Sequence, residues 1–303
     1  MATVQLKKVL LGNGETFAYR ERSGGHIPLV LVHGNMTSSK HWDVVLEKLD
    51  ETYKVYAVDM RGFGESSYHR EIEGIRDLSD DLKDWVDGMG LERFSMVGWS
   101  TGGAVAMQFV IDYPDYCKNL ILLASASTRG YPFFGTKEDG TPDIGNRLRT
   151  MDEVMMDKGK TIPVQAAYDR NDRSFLRGLW NALIYTHAEP DEGRYEEYIN
   201  DMRTQRNLAQ IYQALNTFNI SDTHNGLVEG TGKASSISIP VLVLRGDRDY
   251  VITKEMAEEI VEDIGENAVF VELKNSGHSP LIDDLDQLLH QIQSFLQMKE
   301  ELT

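Results

Sequence analysis

One cysteine, Cys117, stands among 303 residues, so no intrachain disulfide can form and an oxidising compartment is not required. It follows the stretch Asp-Tyr-Pro-Asp-Tyr with no histidine near it to activate a thiolate, which marks it as structural. Basic residues are also scarce, 31 Lys and Arg against 48 Asp and Glu, for a formal net charge of −17. A chain of that sign repels phosphates, which argues against nucleic acid and anionic membranes as partners. No stretch approaches the ~20 apolar residues that span a bilayer. The N-terminus, MATVQLKKVLLGNG, has neither an apolar h-region nor a small-residue cleavage site, so a cytoplasmic location is expected. Histidines and carboxylates do not gather at metal-ligand spacing and no Gly-rich phosphate loop is present, so neither a metal nor a nucleotide cofactor is expected. Internal repeats, heptads and low-complexity segments are missing as well. What these absences leave is a globular protein long enough for one large α/β domain, or a domain with an insertion.

What is present is organised around residues 94–109, FSMVGWSTGGAVAMQF. Phe94, Met96, Val97 and Trp99 read as a buried strand, and Ala104 to Phe109 as the first turns of a helix. Between them, Gly98-Trp99-Ser100-Thr101-Gly102 matches G-x-S-x-G. On a sharp strand-to-helix turn, such a serine holds its hydroxyl above the sheet in a strained conformation. The helix start beyond it adds N–H donors and a positive dipole end where a negative oxygen could develop.

Along the chain, residues 3–10 and 15–21 alternate around Gly12-Asn13-Gly14 and predict an antiparallel edge hairpin. LVLVHG after Pro28 and YKVYAVD at 53–59 are continuous apolar runs, as expected for strands buried on both faces of a parallel sheet. Helices are predicted over Lys40–Leu49 and through Leu78, Leu82, Trp85 and Val86, the latter ending at Gly88 or Gly90. Leu120–Ala126, VLVLRGDRD after Pro240, and Val269–Leu273 continue the sheet, and a helix over Leu285–Met298 closes the chain. This alternation implies right-handed crossovers. The rhythm breaks between Thr128 and Ser236, where helices are predicted over Ile144–Lys158, Arg173–Thr186, Arg194–Arg203 and Asn207–Phe218. The expected organisation is a core of residues 1–127 and 237–303 with a helical cap, 128–236, inserted between two strands.

A nucleophilic serine needs a base and a carboxylate to orient that base. His278, in the loop Asn275-Ser276-Gly277-His278-Ser279-Pro280 after the last strand, is the candidate base. His33 ends a buried strand and reads as structural. His41, His69, His187, His224 and His290 have nothing to distinguish them from surface residues. Arg245-Gly246-Asp247-Arg248-Asp249 offers two acids at the strand end where α/β folds place their sites. Asp249 is preferred, with Asp247 expected to stabilise the turn. The candidate oxyanion donors are the backbone N–H groups of Thr101 and Asn35. No single cap aromatic is nominated as a substrate contact, because helical spacing more often means core packing.

Taken together, His33-Gly34-Asn35, Asp59-Met60-Arg61-Gly62-Phe63-Gly64-Glu65-Ser66, Gly98–Gly102, Gly246–Asp249 and Gly277-His278 resemble the α/β-hydrolase superfamily in order along nearly the whole chain. The resemblance implies that fold, a Ser100–Asp249–His278 triad, no cofactor and a small-molecule or oligomeric ester substrate. The His33-Gly34-Asn35 loop also resembles that of haloalkane dehalogenases, but those carry aspartate as nucleophile, so Ser100 points to ester, lactone or thioester chemistry. Leu179–His187, Gln205–Leu208 and Ala214–Phe218 are similar to intracellular polyhydroxybutyrate depolymerases of Gram-positive bacteria. The same loop with G-W-S-x-G-G resembles acyl-homoserine lactonases. Fold membership leaves the substrate open, and a receptor of the same fold, binding without appreciable turnover, is the alternative from another class.

Overall fold

The structure is a computed structural model and describes residues 3–300; residues 1, 2 and 301–303 of the expected core lie outside the described residues. Eight strands form one sheet. They are β1 (Val4–Leu10), β2 (Thr16–Arg22), β3 (Ile27–Val32), β4 (Tyr53–Asp59), β5 (Phe94–Trp99), β6 (Cys117–Leu123), β9 (Val241–Gly246) and β10 (Ala268–Leu273), in spatial order β1-β2-β4-β3-β5-β6-β9-β10. β1 and β2 are antiparallel at one edge and β3 onward are parallel. Leu29 to Val32 are fully buried, because helices cover both faces of the sheet and a continuous apolar run is the pattern that situation requires.

The period of two along each strand sorts the interior into two cores. Val30, Val32, Met96, Leu120, Leu122 and Val243 pack with helices α2 (Ile75–Met89), α3 (Thr101–Asp112) and α9 (Lys254–Ile264). Leu29, Leu31, Val97, Ile121, Leu123 and Leu244 pack in a cluster with α1 (Asp43–Lys48), α10 (Pro280–Asp283) and α11 (Leu285–Glu300). α2 ends on Gly90, whose φ of 62° is the left-handed cap that glycine adopts without a Cβ penalty. Of the stretch predicted as one helix over Lys40–Leu49, Ser39–Trp42 is a 3-10 turn and Asp43–Lys48 is α-helical.

Between β6 and β9 the chain forms a small antiparallel hairpin, β7 (Phe134–Thr136) and β8 (Pro142–Arg147), then α4 (Met151–Met155), α5 (Thr161–Arg170), α6 (Arg173–Leu183), α7 (Glu192–Met202) and α8 (Leu208–Thr217). The helix predicted over Ile144–Lys158 is therefore corrected. Its first part is strand β8, where Pro142 and Gly145 disfavour a helix, and α4 is confined to the turn capped by Thr150, whose hydroxyl accepts the Glu153 N–H. α5 was not predicted. Among the described residues, no helix is long and apolar enough to cross a membrane.

Candidate active site

Ser100 joins β5 to α3 at φ 55° and ψ −116°, a conformation a non-glycine residue adopts only when its surroundings hold it, at a cost of order 1–3 kcal/mol. Here they do. The Ser100 N–H donates to the Leu123 carbonyl at 2.9 Å, and its own carbonyl accepts from Gly103 at 3.0 Å and Ala126 at 3.2 Å. A Cβ on Gly102 would stand 2.3 Å from the Val32 carbonyl oxygen, so only glycine allows α3 to start this close to β3. Across the turn, a Cβ on Gly34 would lie 3.1 Å from the Ser100 Cβ. Asn35 is thereby carried past the serine, and Thr101, first in α3, has a backbone N–H with no acceptor inside its helix.

The loop after β3 is fixed by His33. Its Nδ1 lies 2.7 Å from the Gly34 carbonyl and its Nε2 accepts the Met60 N–H at 3.0 Å, an arrangement that suits the neutral ring. Burial lowers its pKa to about 4, against the opposing pull of the Gly34 carbonyl. Asp59, also fully buried, takes the Ser39 N–H at 2.8 Å and the Glu65 N–H at 2.9 Å, which ties this loop to the one after β4.

At the other parallel strand ends, His278 Nδ1 lies 3.0 and 3.1 Å from the two carboxylate oxygens of Asp249. Both side chains are buried. The Asp249 Oδ1 also accepts the N–H groups of Val251 at 2.8 Å and Ile252 at 2.9 Å, so the carboxylate cannot swing away. Asp247 lies half-buried and instead accepts the Ser276 N–H at 3.1 Å. The loop carrying His278 is held by the indole of Trp99, whose Nε1 donates to the His278 carbonyl at 2.9 Å, and by Asp283, which accepts from Gly277 at 2.7 Å and Ala188 at 3.0 Å.

Ser100, Thr101, Asn35 and His278 line one cavity of about 260 Å³; Asp249 stands behind the imidazole. The remaining wall is mostly apolar and comes largely from the segment between β6 and β9, including Phe133, Val164, Phe175, Leu179, Trp180 and Leu215. Some aromatics of that segment thus do face the cavity. Others, among them Tyr195 and Tyr198, pack in the interior; helical spacing alone does not separate the two groups. Among the described residues, no cluster of three or more His, Cys, Asp or Glu could hold a metal ion. Cys117 is buried away from the cavity, its thiol pushed up to about 12 by burial.

Several contributors to the site were not evident from the sequence. Gln205, from the loop between α7 and α8, donates through Nε2 to the Asn35 Oδ1 at 2.7 Å and to Asn207 at 3.0 Å, and its Oε1 accepts from Tyr168 at 3.2 Å. His41 is not a surface residue but is 2% exposed, with Nδ1 3.1 Å from Asp201 of α7 and its ring stacked on Tyr198. Asp201 also accepts from the Ser38 hydroxyl at 2.6 Å. Polar residues in loops give no periodic signal, and their partners are far along the chain.

A serine on a strained turn at the end of a parallel sheet, sharing a cavity with a histidine held by a buried carboxylate, is the arrangement of a hydrolase built on an α/β scaffold. Residues 27–285 match the alpha/beta hydrolase fold, and the chain belongs to that family. Pimeloyl-[acyl-carrier protein] methyl ester esterase of Aliivibrio salmonicida is 24% identical over 290 residues, covering 94% of this chain and 98% of its own. A carboxylesterase of Bacillus subtilis is 35% identical over 102 residues, 33% of this chain and 34% of its own. Among solved structures, an esterase from Exiguobacterium antarcticum superposes with a TM-score of 0.72 at 19% identity, covering 97% of this chain and all of its own.

Proposed function

We propose that the chain is a serine ester hydrolase working through an acyl-enzyme. The observation that carries this reading is the Asp249-bound His278 opening on the same cavity as the strained Ser100. His278 accepts the Ser100 proton at Nε2 while Oγ attacks the ester carbonyl, and Asp249 holds the imidazole with its proton on Nδ1. The N–H groups of Asn35 and Thr101 receive the oxyanion. Collapse breaks the bond to the alcohol, which leaves with the proton from His278. Water then adds to the acyl-enzyme by the same route, giving the acid and restoring Ser100.

Residues 128–236 act as the cap of this enzyme over a core of 1–127 and 237–303, and with one buried cysteine the cytoplasm is a suitable setting. The names of the relatives support carboxylic esters as the substrate class. Within that class, 3-hydroxybutyrate oligomers are proposed from the resemblance of the cap, with lactones as the second reading from the loop at His33. The test is turnover of p-nitrophenyl acetate to octanoate, soluble 3-hydroxybutyrate oligomers and an acyl-homoserine lactone by wild type and Ser100→Ala. Loss of at least about a thousandfold in the variant is expected. Equal rates in the two proteins would overturn the reading, and binding without turnover would indicate a receptor.

A further inference from the structure

The cavity wall carries one feature that ester hydrolysis does not use. Lys160, at the start of α5, lies in this largely apolar lining. Its ammonium has three donors, yet its hydrogen-bond partner among the described residues is the Phe134 carbonyl, at 3.3 Å, with the Phe133 ring 4.5 Å away. Neither is an anion. Asp157, whose charge acts on the Lys160 ammonium, directs its carboxylate hydrogen bonds to the Thr136 hydroxyl at 3.1 Å and the Lys160 backbone N–H at 2.7 Å. Burial outweighs the pull of Asp157 and lowers the Lys160 pKa.

The same cavity holds the rings of Tyr131 and Tyr212. Tyr212 packs on Phe133 with centroids 4.6 Å apart, which places it beside the ring that Lys160 covers. Burial raises both phenols, chiefly by desolvation, so each keeps its proton and remains a donor. A partly desolvated cation with spare donors and two protonated phenols is an acceptor-seeking lining; an uncharged alkyl chain would offer none of the three an acceptor.

We propose that this lining binds a carboxylate, so that the preferred substrate is an ester with one arm ending in a carboxylate. The proposal rests on the ester-hydrolase reading and names its substrate class. It applies to two sources of the same chemistry: a half-ester of a dicarboxylic acid carries the anion on the acyl arm, and a linear 3-hydroxybutyrate dimer carries it on the alcohol arm.

The experiment compares kcat/KM for monomethyl succinate to suberate with methyl alkanoates of equal chain length, and for the 3-hydroxybutyrate dimer with its methyl ester. Wild type, Lys160→Met and Lys160→Arg are assayed. Wild type is expected to favour the anionic member of at least one pair by about tenfold or more, the scale of a charge-assisted hydrogen bond. Lys160→Met should abolish that preference, so that the anionic and neutral members of each pair differ by less than about threefold, and Lys160→Arg should retain part of it. The pair that responds identifies the arm. No anionic preference in wild type for either pair overturns the proposal without recourse to any variant, as does a preference that survives in Lys160→Met. Ser100-dependent turnover of the neutral esters, measured alongside, shows separately whether the ester-hydrolase reading holds.

Discussion

Replacing Asp249 by asparagine separates two acids that lie two positions apart. The Asp249 Oδ1 accepts two backbone N–H groups, from Val251 at 2.8 Å and Ile252 at 2.9 Å. An asparagine must keep its oxygen there, since an amide NH2 would face two donors. Its nitrogen then occupies the Oδ2 position, 3.0 Å from His278 Nδ1, and donates to that ring nitrogen. The imidazole proton is driven to Nε2, which can no longer take the proton from Ser100. A wrong tautomer of this kind costs about four orders of magnitude in kcat, or roughly 5.5 kcal/mol of barrier. Because the two side chains have the same shape, the melting temperature should hardly move. The assay is kcat on a p-nitrophenyl ester for Asp249→Asn beside Asp247→Asn, with circular dichroism for folding. Asp247 accepts the Ser276 N–H and touches no imidazole, so its variant should stay within a few-fold of wild type. An Asp249→Asn enzyme within tenfold of wild type, or an Asp247→Asn enzyme that falls as far, would refute the argument.

Two further perturbations test the shell around the site. Gln205→Leu removes the donor to Asn35 and the acceptor of Tyr168; kcat is expected to fall about tenfold with KM within threefold, a fraction of the loss on deleting an oxyanion donor outright, and a rise in KM at constant kcat would show that Gln205 serves binding instead. Stability should also depend on acid through His33, whose pKa of about 4 in the fold compares with 6.5 for the free side chain. The unfolded chain then binds more protons between these values. The contribution is fully present above about pH 6.5 and lost as pH falls towards about 4, up to roughly 3 kcal/mol in all. Urea unfolding at about pH 7.5 and about pH 5 should differ by about 2 kcal/mol from this group, and a His33→Gln protein whose pH dependence is as steep as wild type would refute the assignment.

The sheet was legible because burial on both faces leaves runs such as Leu29–Val32 with no polar interruption. The turn at Ser100 was legible because glycines mark where β3, β5 and α3 crowd together. The segment between β6 and β9 was harder. Its hairpin is largely exposed, so β8 carries no apolar alternation, and its Ile144 mimics the start of a helix. His41 looked ordinary because Asp201, which explains its burial, lies 160 positions away. Nothing in Gly159-Lys160-Thr161 shows that the neighbours of Lys160 fold into an apolar wall. Long-range polar pairs of this kind are fixed by three-dimensional packing and leave no local period to read.

The contact between α7 and the 38–43 region has an implication for engineering and for divergence. Asp201 grips Ser38 and His41, Arg194 reaches Asp43 at 2.5 Å, and Gln205 holds Asn35. The helices over the cavity therefore share a seam with the loop that carries Asn35, the proposed oxyanion donor. A graft of this segment from a relative would arrive without the matching side chains and would leave a buried histidine and an untethered asparagine behind. Substrate range in this protein is therefore expected to drift by changes within the cavity wall, while wholesale exchange of the helical segment requires residues 35–43 to travel with it.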